Sequence, residues 1–463
     1  MDAAARFKER RRKLAKSMGK PILLMGNGHR ARNLPMSPLP FRQDSTFLYF
    51  SGCDHPKAAM HILPDGDTTL FLPTPTADDP LWHGPTPGFE ETRVEYGMEN
   101  VMGIESLDDY PLGTDVVSLA VPDENQNRYL HNRLQRPFQF GVEYGDPQLV
   151  SQVIEMRRSK DPWEVQQMRL AAAASAKAHR AVMRATRPDT TEYELAALFR
   201  AVLAANQCAL GYSTILTVHG EVLHNFHHSN RLKSGQLLLL DGGGEVASGY
   251  GVDITRTYPV SGKFTARQRS VYEAILEAQL QAIDMCDPGV SYQKVHRTAC
   301  LVIAQFLCDE GVLRCSPETA VELGAHALVF PHGTGHHLGM DVHDLENFGD
   351  LSSYEPHQKR SSQFGTCYLR LGLPLESGWV VTVEPGFYIV DPILDDPKLR
   401  AEFSSVVDFD RLDAWRGFGG IRIEDDILIT ENKPTVLTSD IPKTISELEE
   451  EVGQGPSVSE RLG

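Results

Sequence analysis

QLLLLDGGGEVASGYGVDITRT, residues 236–257, decides how the larger part of this chain folds. Two apolar runs flank a glycine-rich turn, which reads as a β-hairpin. Asp241 closes the first run and Asp253 stands early in the second, so pairing brings two carboxylates side by side. Like charges at that spacing repel unless a cation lies between them. For the hairpin alone, a glycine–aspartate turn with solvated acids is the plainer reading.

Three later stretches shift the balance. FPHGTGHHLGMDVHD, residues 330–344, carries His332, His336, His337 and His343, with glycines that let the backbone pass closely. The stretch lacks the H-E-x-x-H pattern of a zincin helix. VVTVEPGFYIV, residues 380–390, places Glu384 at a strand end before a Pro-Gly turn. GFGGIRIEDDILIT, residues 417–430, places Glu424 among Ile421, Ile423 and Ile427. Arg422 shares the phase of Glu424 in a strand, so its guanidinium should lie near the same carboxylates. Asp425 and Asp426 read as residues of the outer face or a turn. Isolated carboxylates after apolar strands are costly to bury. Four of them converging with one imidazole point to a metal centre.

The ligand chemistry narrows the metal. Asp241, Asp253, His336, Glu384 and Glu424 make a hard, oxygen-rich set that best suits Mn²⁺, with Co²⁺, Fe²⁺ or Zn²⁺ as alternatives. Two divalent ions balance four ionised carboxylates, and they leave room for a hydroxide between them.

The 463 residues exceed one typical core, so two or three domains are expected. A net charge of −17 argues against nucleic acid as a partner. No stretch is long and apolar enough for a membrane span. Seven scattered cysteines without a CxxC pair suggest reduced thiols and a cytoplasmic setting. RFKERRRKLAK, residues 6–16, has no apolar run after it, which argues against a secretory signal and for a surface helix.

Residues 1–158 alternate short β-type runs with helical stretches and read as a small α/β domain. Asp161-Pro162 opens a long alanine-rich helix. Thr191 and Glu194 form a capping box before another. Further helices are expected at 266–285 and 295–310, mixed with strands, making 159–447 an α+β domain. The polar tail, 448–463, reads as disordered.

With these motifs in place, the chain resembles the Xaa-Pro peptidases of the pita-bread metallopeptidase family, meaning prolidase and aminopeptidase P. D…DITRT, HGxGHxLGxDVHD, VEPGxY and GIRIEDD carry the likeness, and FRQDSTFLYFSGCDHP, residues 41–56, resembles the family's creatinase-type N-terminal domain. The resemblance implies a pita-bread catalytic domain of the creatinase/aminopeptidase type at 159–447. It implies that Asp241 chelates one metal, that Asp253 and Glu424 bridge two, and that His336 and Glu384 complete the ligands of the second metal. Glu384 would also help move the proton of the attacking water. His224 would bind substrate, His332 and His343 would hold the scissile region, and Tyr388 and Arg422 would stand close to the cluster. A homodimer acting on short proline-containing peptides is implied as well.

The pattern departs from the family where Asn225 follows His224 in place of tyrosine, and where Gly242-Gly243 follow Asp241. The long intervals from His343 to Glu384 and from Glu384 to Glu424 resemble prolidases, which cleave Xaa-Pro dipeptides. Arg370 falls where prolidases carry an arginine for the dipeptide's free carboxylate, a group that a guanidinium binds bidentately. The alternative is aminopeptidase P, acting on longer peptides. A non-catalytic pita-bread peptide-binding module is a third reading, disfavoured because relatives of that kind lose ligands and all five stand here.

Overall fold

A computed structural model describes residues 3–463, which divide into two compact units: the described residues up to Arg157 with Leu345–Ser352, and Arg158–Asp344 with Ser353–Gly463. In the first unit the strands β1 (Ile22–Met25), β2 (Ala59–Ile62), β3 (Thr68–Leu72), β4 (Asn100–Gly103) and β5 (Val117–Ser118) form one sheet in the order β4-β3-β2-β1-β5. β1, β2 and β3 pair antiparallel, while β4 and β5 run parallel to their neighbours at the two edges. This is the α/β character expected of the N-terminal domain. The basic segment forms the helix Ala3–Met18, but it is not simply a surface helix. Arg10 and Arg11 are buried, donating to the Tyr49 and Phe50 carbonyls, and the Arg10 guanidinium stacks 3.9 Å over the Tyr49 ring. Their long apolar stems cover the core while each head finds an acceptor.

The second unit has the expected α+β composition. Asp161 caps the helix Pro162–Ala185 through the amides of Trp163 and Glu164, and the Glu164 carboxylate answers to the Asp161 amide. Thr191 and Glu194 do the same for Glu192–Ala205. Helices Ala266–Asp284 and Tyr292–Asp309 follow. The strands are β6 (Ala209–Leu210), β7 (Ile215–Thr217), β8 (Leu237–Asp241), β9 (Gly244–Glu245), β10 (Thr255–Pro259), β11 (Val380–Val383), β12 (Gly386–Tyr388), β13 (Gly420–Arg422), β14 (Asp425–Leu428) and β15 (Thr435–Val436). They form the antiparallel groups β10-β8-β7, β11-β14-β15, β12-β13 and β6-β9. Leu237 to Leu240 are all buried, which is why β8 reads as a continuous apolar run and not as an alternation. Each such leucine contributes about 1.5–3 kcal/mol by leaving water.

The tail is ordered, contrary to its composition. Helices Ile445–Glu451 and Val458–Leu462 flank a turn whose Gly453 and Gly455 amides donate to the Met183 and Arg184 carbonyls. Val452 and Val458 are buried in the core, and Glu451 pairs with Arg180 and Arg184. Two valines and two capping boxes outweigh the polar average that suggested disorder.

Candidate metal centre

The expected hairpin pairs Asp241 with Thr255, so Asp253, two residues earlier in phase, projects to the same side as Asp241. Residues 422–424 lie against β10: Arg422 and Thr257 exchange bonds, and the Glu424 amide donates to the Thr255 carbonyl at 3.0 Å. Glu424 is thereby set beside the hairpin acids. His336 and Glu384 come together by another pairing. The Thr382 amide donates to the His336 carbonyl, the Glu384 amide to the Thr334 carbonyl and the Leu338 amide to the Val380 carbonyl. The close approach needs glycine at 335, where a Cβ would sit 2.2 Å from the Thr382 carbonyl oxygen.

One ligand atom each of Asp241, Asp253 and Glu424 lies within 4.8 Å of the others, and so it is for His336, Glu384 and Glu424. Asp253, His336 and His343 make a third such group. His336 Nε2 stands 3.4 Å from Asp253 and 3.7 Å from Glu384, because its Nδ1 is bonded to the His337 carbonyl at 2.9 Å. His343 packs edge-on against His336 at 4.2 Å between centroids, with a backbone φ of 62°, a left-handed value that costs a non-glycine residue energy and is typical of functional sites. His224, His332, His343 and Arg370 line the same cavity of about 460 Å³ as the five acidic and imidazole groups. Arg422 bonds Asp241 at 2.6 Å and Tyr388 at 3.1 Å, and the Tyr388 hydroxyl reaches His332 at 2.9 Å. Arg422 therefore does lie by the carboxylates.

Burial pushes Asp241 up to about 6 and Glu384 up to about 7, and raises Glu424 well above the carboxylate range. Burial also opposes ionisation of Asp253, but the His336 contact outweighs it and lowers its pKa. Burial, with Arg422 beside it, lowers His332 to about 3, and repulsion from His336 lowers His343 to about 2. Four crowded carboxyl groups with an imidazole among them are a donor set that divalent cations fit.

The sign of the pH dependence follows. A carboxyl raised by folding keeps a proton that the unfolded chain has lost. Its contribution to stability is full below the unfolded value of about 4 and is lost as pH rises through about 6 and 7 for Asp241 and Glu384. Chelator-treated protein is therefore expected to melt at a lower temperature at pH ~8 than at pH ~5.5. Added Mn²⁺ should raise the melting temperature more at the higher pH, since it competes with protons. Equal melting temperatures of the chelated protein at the two pH values would contradict this electrostatic account.

Asp425 and Asp426 do not face outward; both are fully buried. Asp425 is neutralised by Arg256 and Lys443, each at 2.7 Å, and Asp426 accepts the Asp253 amide at 3.2 Å. Two groups escaped the sequence reading. Tyr212 donates to Asp241 at 2.6 Å and Thr255 to Glu424 at 2.6 Å. Thr255 shares the phase of Asp253 in DITRT, a usable signal, whereas nothing marks Tyr212. Asn225 spends its amide on Thr217, 3.1 Å away, so it ties down the loop that carries His224.

A family model described as metallopeptidase family M24 matches residues 166–431, and one described as the aminopeptidase P N-terminal domain matches 7–114. Human Xaa-Pro dipeptidase is 30% identical over 452 residues, covering 95% of this chain and 90% of its own. A probable Xaa-Pro aminopeptidase of Emericella nidulans is 34% identical over 432 residues, covering 89% and 88%. Among solved structures, the aminopeptidase PepP of Pseudomonas aeruginosa matches with a TM-score of 0.80 at 28% identity, over 96% of this chain and 97% of its own. A zinc-substituted aminopeptidase P from Escherichia coli in complex with product matches at 0.78 and 28%, over 97% and 98%. With both domains matched in order along the chain, the protein belongs to metallopeptidase family M24, among its Xaa-Pro peptidases of pita-bread fold.

Proposed function

We propose that this enzyme is a prolidase, hydrolysing the bond before proline in Xaa-Pro dipeptides with two divalent metal ions, Mn²⁺ by preference. The observation that carries the dipeptidase reading is Arg370. It lines the cavity that holds the carboxylates, together with His224 and His343. A guanidinium there suits the free carboxylate of a dipeptide. Phe364, Tyr368 and Ile393 add apolar wall suited to a proline ring.

Asp241, Asp253, His336, Glu384 and Glu424 would hold the metals; Asp253, His336 and Glu424 each belong to two of the close groups around the centre. When bound, such ions polarise the scissile carbonyl and acidify water. The protein's part is positional and protonic. Glu384, which lines the cavity beside the cluster, accepts the proton of the attacking water and passes it to the departing proline nitrogen. His343, held neutral, donates a hydrogen bond to the oxygen where charge develops. His332 faces the scissile region with its ring fixed by the Gly333 carbonyl and the Tyr388 hydroxyl. His224 steadies the substrate at the cavity wall. Arg422 keeps Asp241 ionised and, through Tyr388, fixes the ring of His332.

Arg370→Ala is expected to lower kcat/KM for Ala-Pro about 100-fold, the loss of one charged bidentate contact. Hydrolysis of Ala-Pro-Ala should change less than about threefold. Equal losses on both substrates would reject the carboxylate role. Aminopeptidase P is the second reading, favoured by the fungal relatives and the solved structures that bear that name. Under it, wild-type enzyme prefers the tripeptide and longer substrates. A non-catalytic binding module would hold no metal and show no turnover with added Mn²⁺. We read the protein further as a cytoplasmic homodimer. Its seven free thiols support a reducing compartment, and light scattering of the purified protein checks the dimer. Among the described residues no helix is long and apolar enough to cross a membrane.

A further inference from the structure

Outside the carboxylate centre, three metal-ligating side chains converge in the core. His296 and Cys300 stand one turn apart on the same face of helix Tyr292–Asp309, and His326 meets them from the short turn Ala325–Leu328. All three are buried, and one ligand atom of each lies within 4.8 Å of the other two. We propose that His296, Cys300 and His326 form a second metal site, selective for zinc over manganese and independent of the carboxylate centre.

Four observations carry this. First, the Cys300 Sγ to His296 Nε2 distance is 3.5 Å. Tetrahedral zinc with ordinary Zn–N and Zn–S bonds separates such a ligand pair by about 3.5 Å. Second, His296 Nδ1 is bonded to the Thr334 hydroxyl at 2.8 Å, which orients the ring and leaves Nε2 for the site. Third, His326 is 1% exposed, and among the described residues neither ring nitrogen makes a hydrogen bond of good geometry, with only the Ala320 carbonyl near enough to interact with the ring. A thiol–imidazole hydrogen bond accounts for Cys300 and His296, and the Ala320 carbonyl can engage one His326 nitrogen, which leaves the other without a partner among the described residues. Such an orphan costs about 1–3 kcal/mol unless something binds it. Fourth, a cavity of about 310 Å³ opens on all three residues, giving an ion an entry path and a fourth ligand position.

The two centres differ in kind. Thiolate with two imidazoles favours zinc, while the carboxylate cluster favours harder ions. An ion here would clamp the helix to the turn.

Cobalt tests the site, because the carboxylate centre has no sulfur. Chelated, fully reduced protein reloaded with Co²⁺ should show a near-ultraviolet thiolate-to-cobalt charge-transfer band. Titrated with Zn²⁺, it should bind one equivalent more than with Mn²⁺. Cys300→Ser and His326→Phe should each abolish the band and the additional equivalent. Each variant should keep Mn²⁺-supported Xaa-Pro hydrolysis within about twofold, since neither residue lines the catalytic cavity. No band and equal equivalents in the wild-type protein would overturn the proposal. So would a band that survives both substitutions. The wild-type titration decides the matter even where a variant fails to fold.

Discussion

Asp253→Asn is expected to lower kcat/KM for an Xaa-Pro dipeptide by about 1,000-fold or more, with the fold intact; that loss corresponds to about 4 kcal/mol in the barrier. Asp253 stands in the close group with Asp241 and Glu424 and also in that with His336 and His343. It is the carboxylate whose pKa is lowered, while burial raises Asp241, Glu384 and Glu424. Asparagine matches its shape and keeps the backbone bond to Asp426, but it removes one negative charge from the middle of the cluster. Metal content should fall together with activity. Elemental analysis and a Mn²⁺ titration of activity check both. A variant that keeps a tenth of wild-type turnover at saturating Mn²⁺ would remove Asp253 from the centre.

The largest expected loss of stability lies behind the site. Arg256 is fully buried, and it donates to the carbonyls of Thr255, Glu424, Ile441 and Pro442 as well as to the Asp425 carboxylate. Arg256→Met strands those acceptors and leaves Asp425 with Lys443, Thr438 and Gln279. Breaking a buried pair from one side costs about 3–5 kcal/mol, which lowers Tm by roughly 10 °C. Adding Asp425→Asn should cost less than the sum of the two single changes, because the partners share one network. Calorimetry of the four proteins checks this. A loss below about 1 kcal/mol for Arg256→Met would show that the network carries little of the stability.

What could be read from the sequence had a periodic or local cause. Hairpin pairing put Asp241 near Asp253, strand phase put Arg422 by the same carboxylates, and the helix starts at Asp161 and Thr191 follow from neighbours three residues away. The missed features depend on partners distant in the chain. Asp425 looks like a surface acid until Arg256, 169 residues earlier, is beside it. Tyr212 touches Asp241 from a loop with no pattern of its own. The tail was misjudged because its average polarity hides Val452 and Val458, whose buried neighbours lie in other parts of the chain.

That docked tail has a consequence for synthesis on the ribosome. The helix Pro162–Ala185 emerges early, but the Gly453 and Gly455 turn that caps its end emerges more than 260 residues later. At ordinary elongation rates the helix waits roughly 15–50 s for that cover. Nascent chains of this unit should thus present an apolar helix end to chaperones until residues 453–455 have emerged.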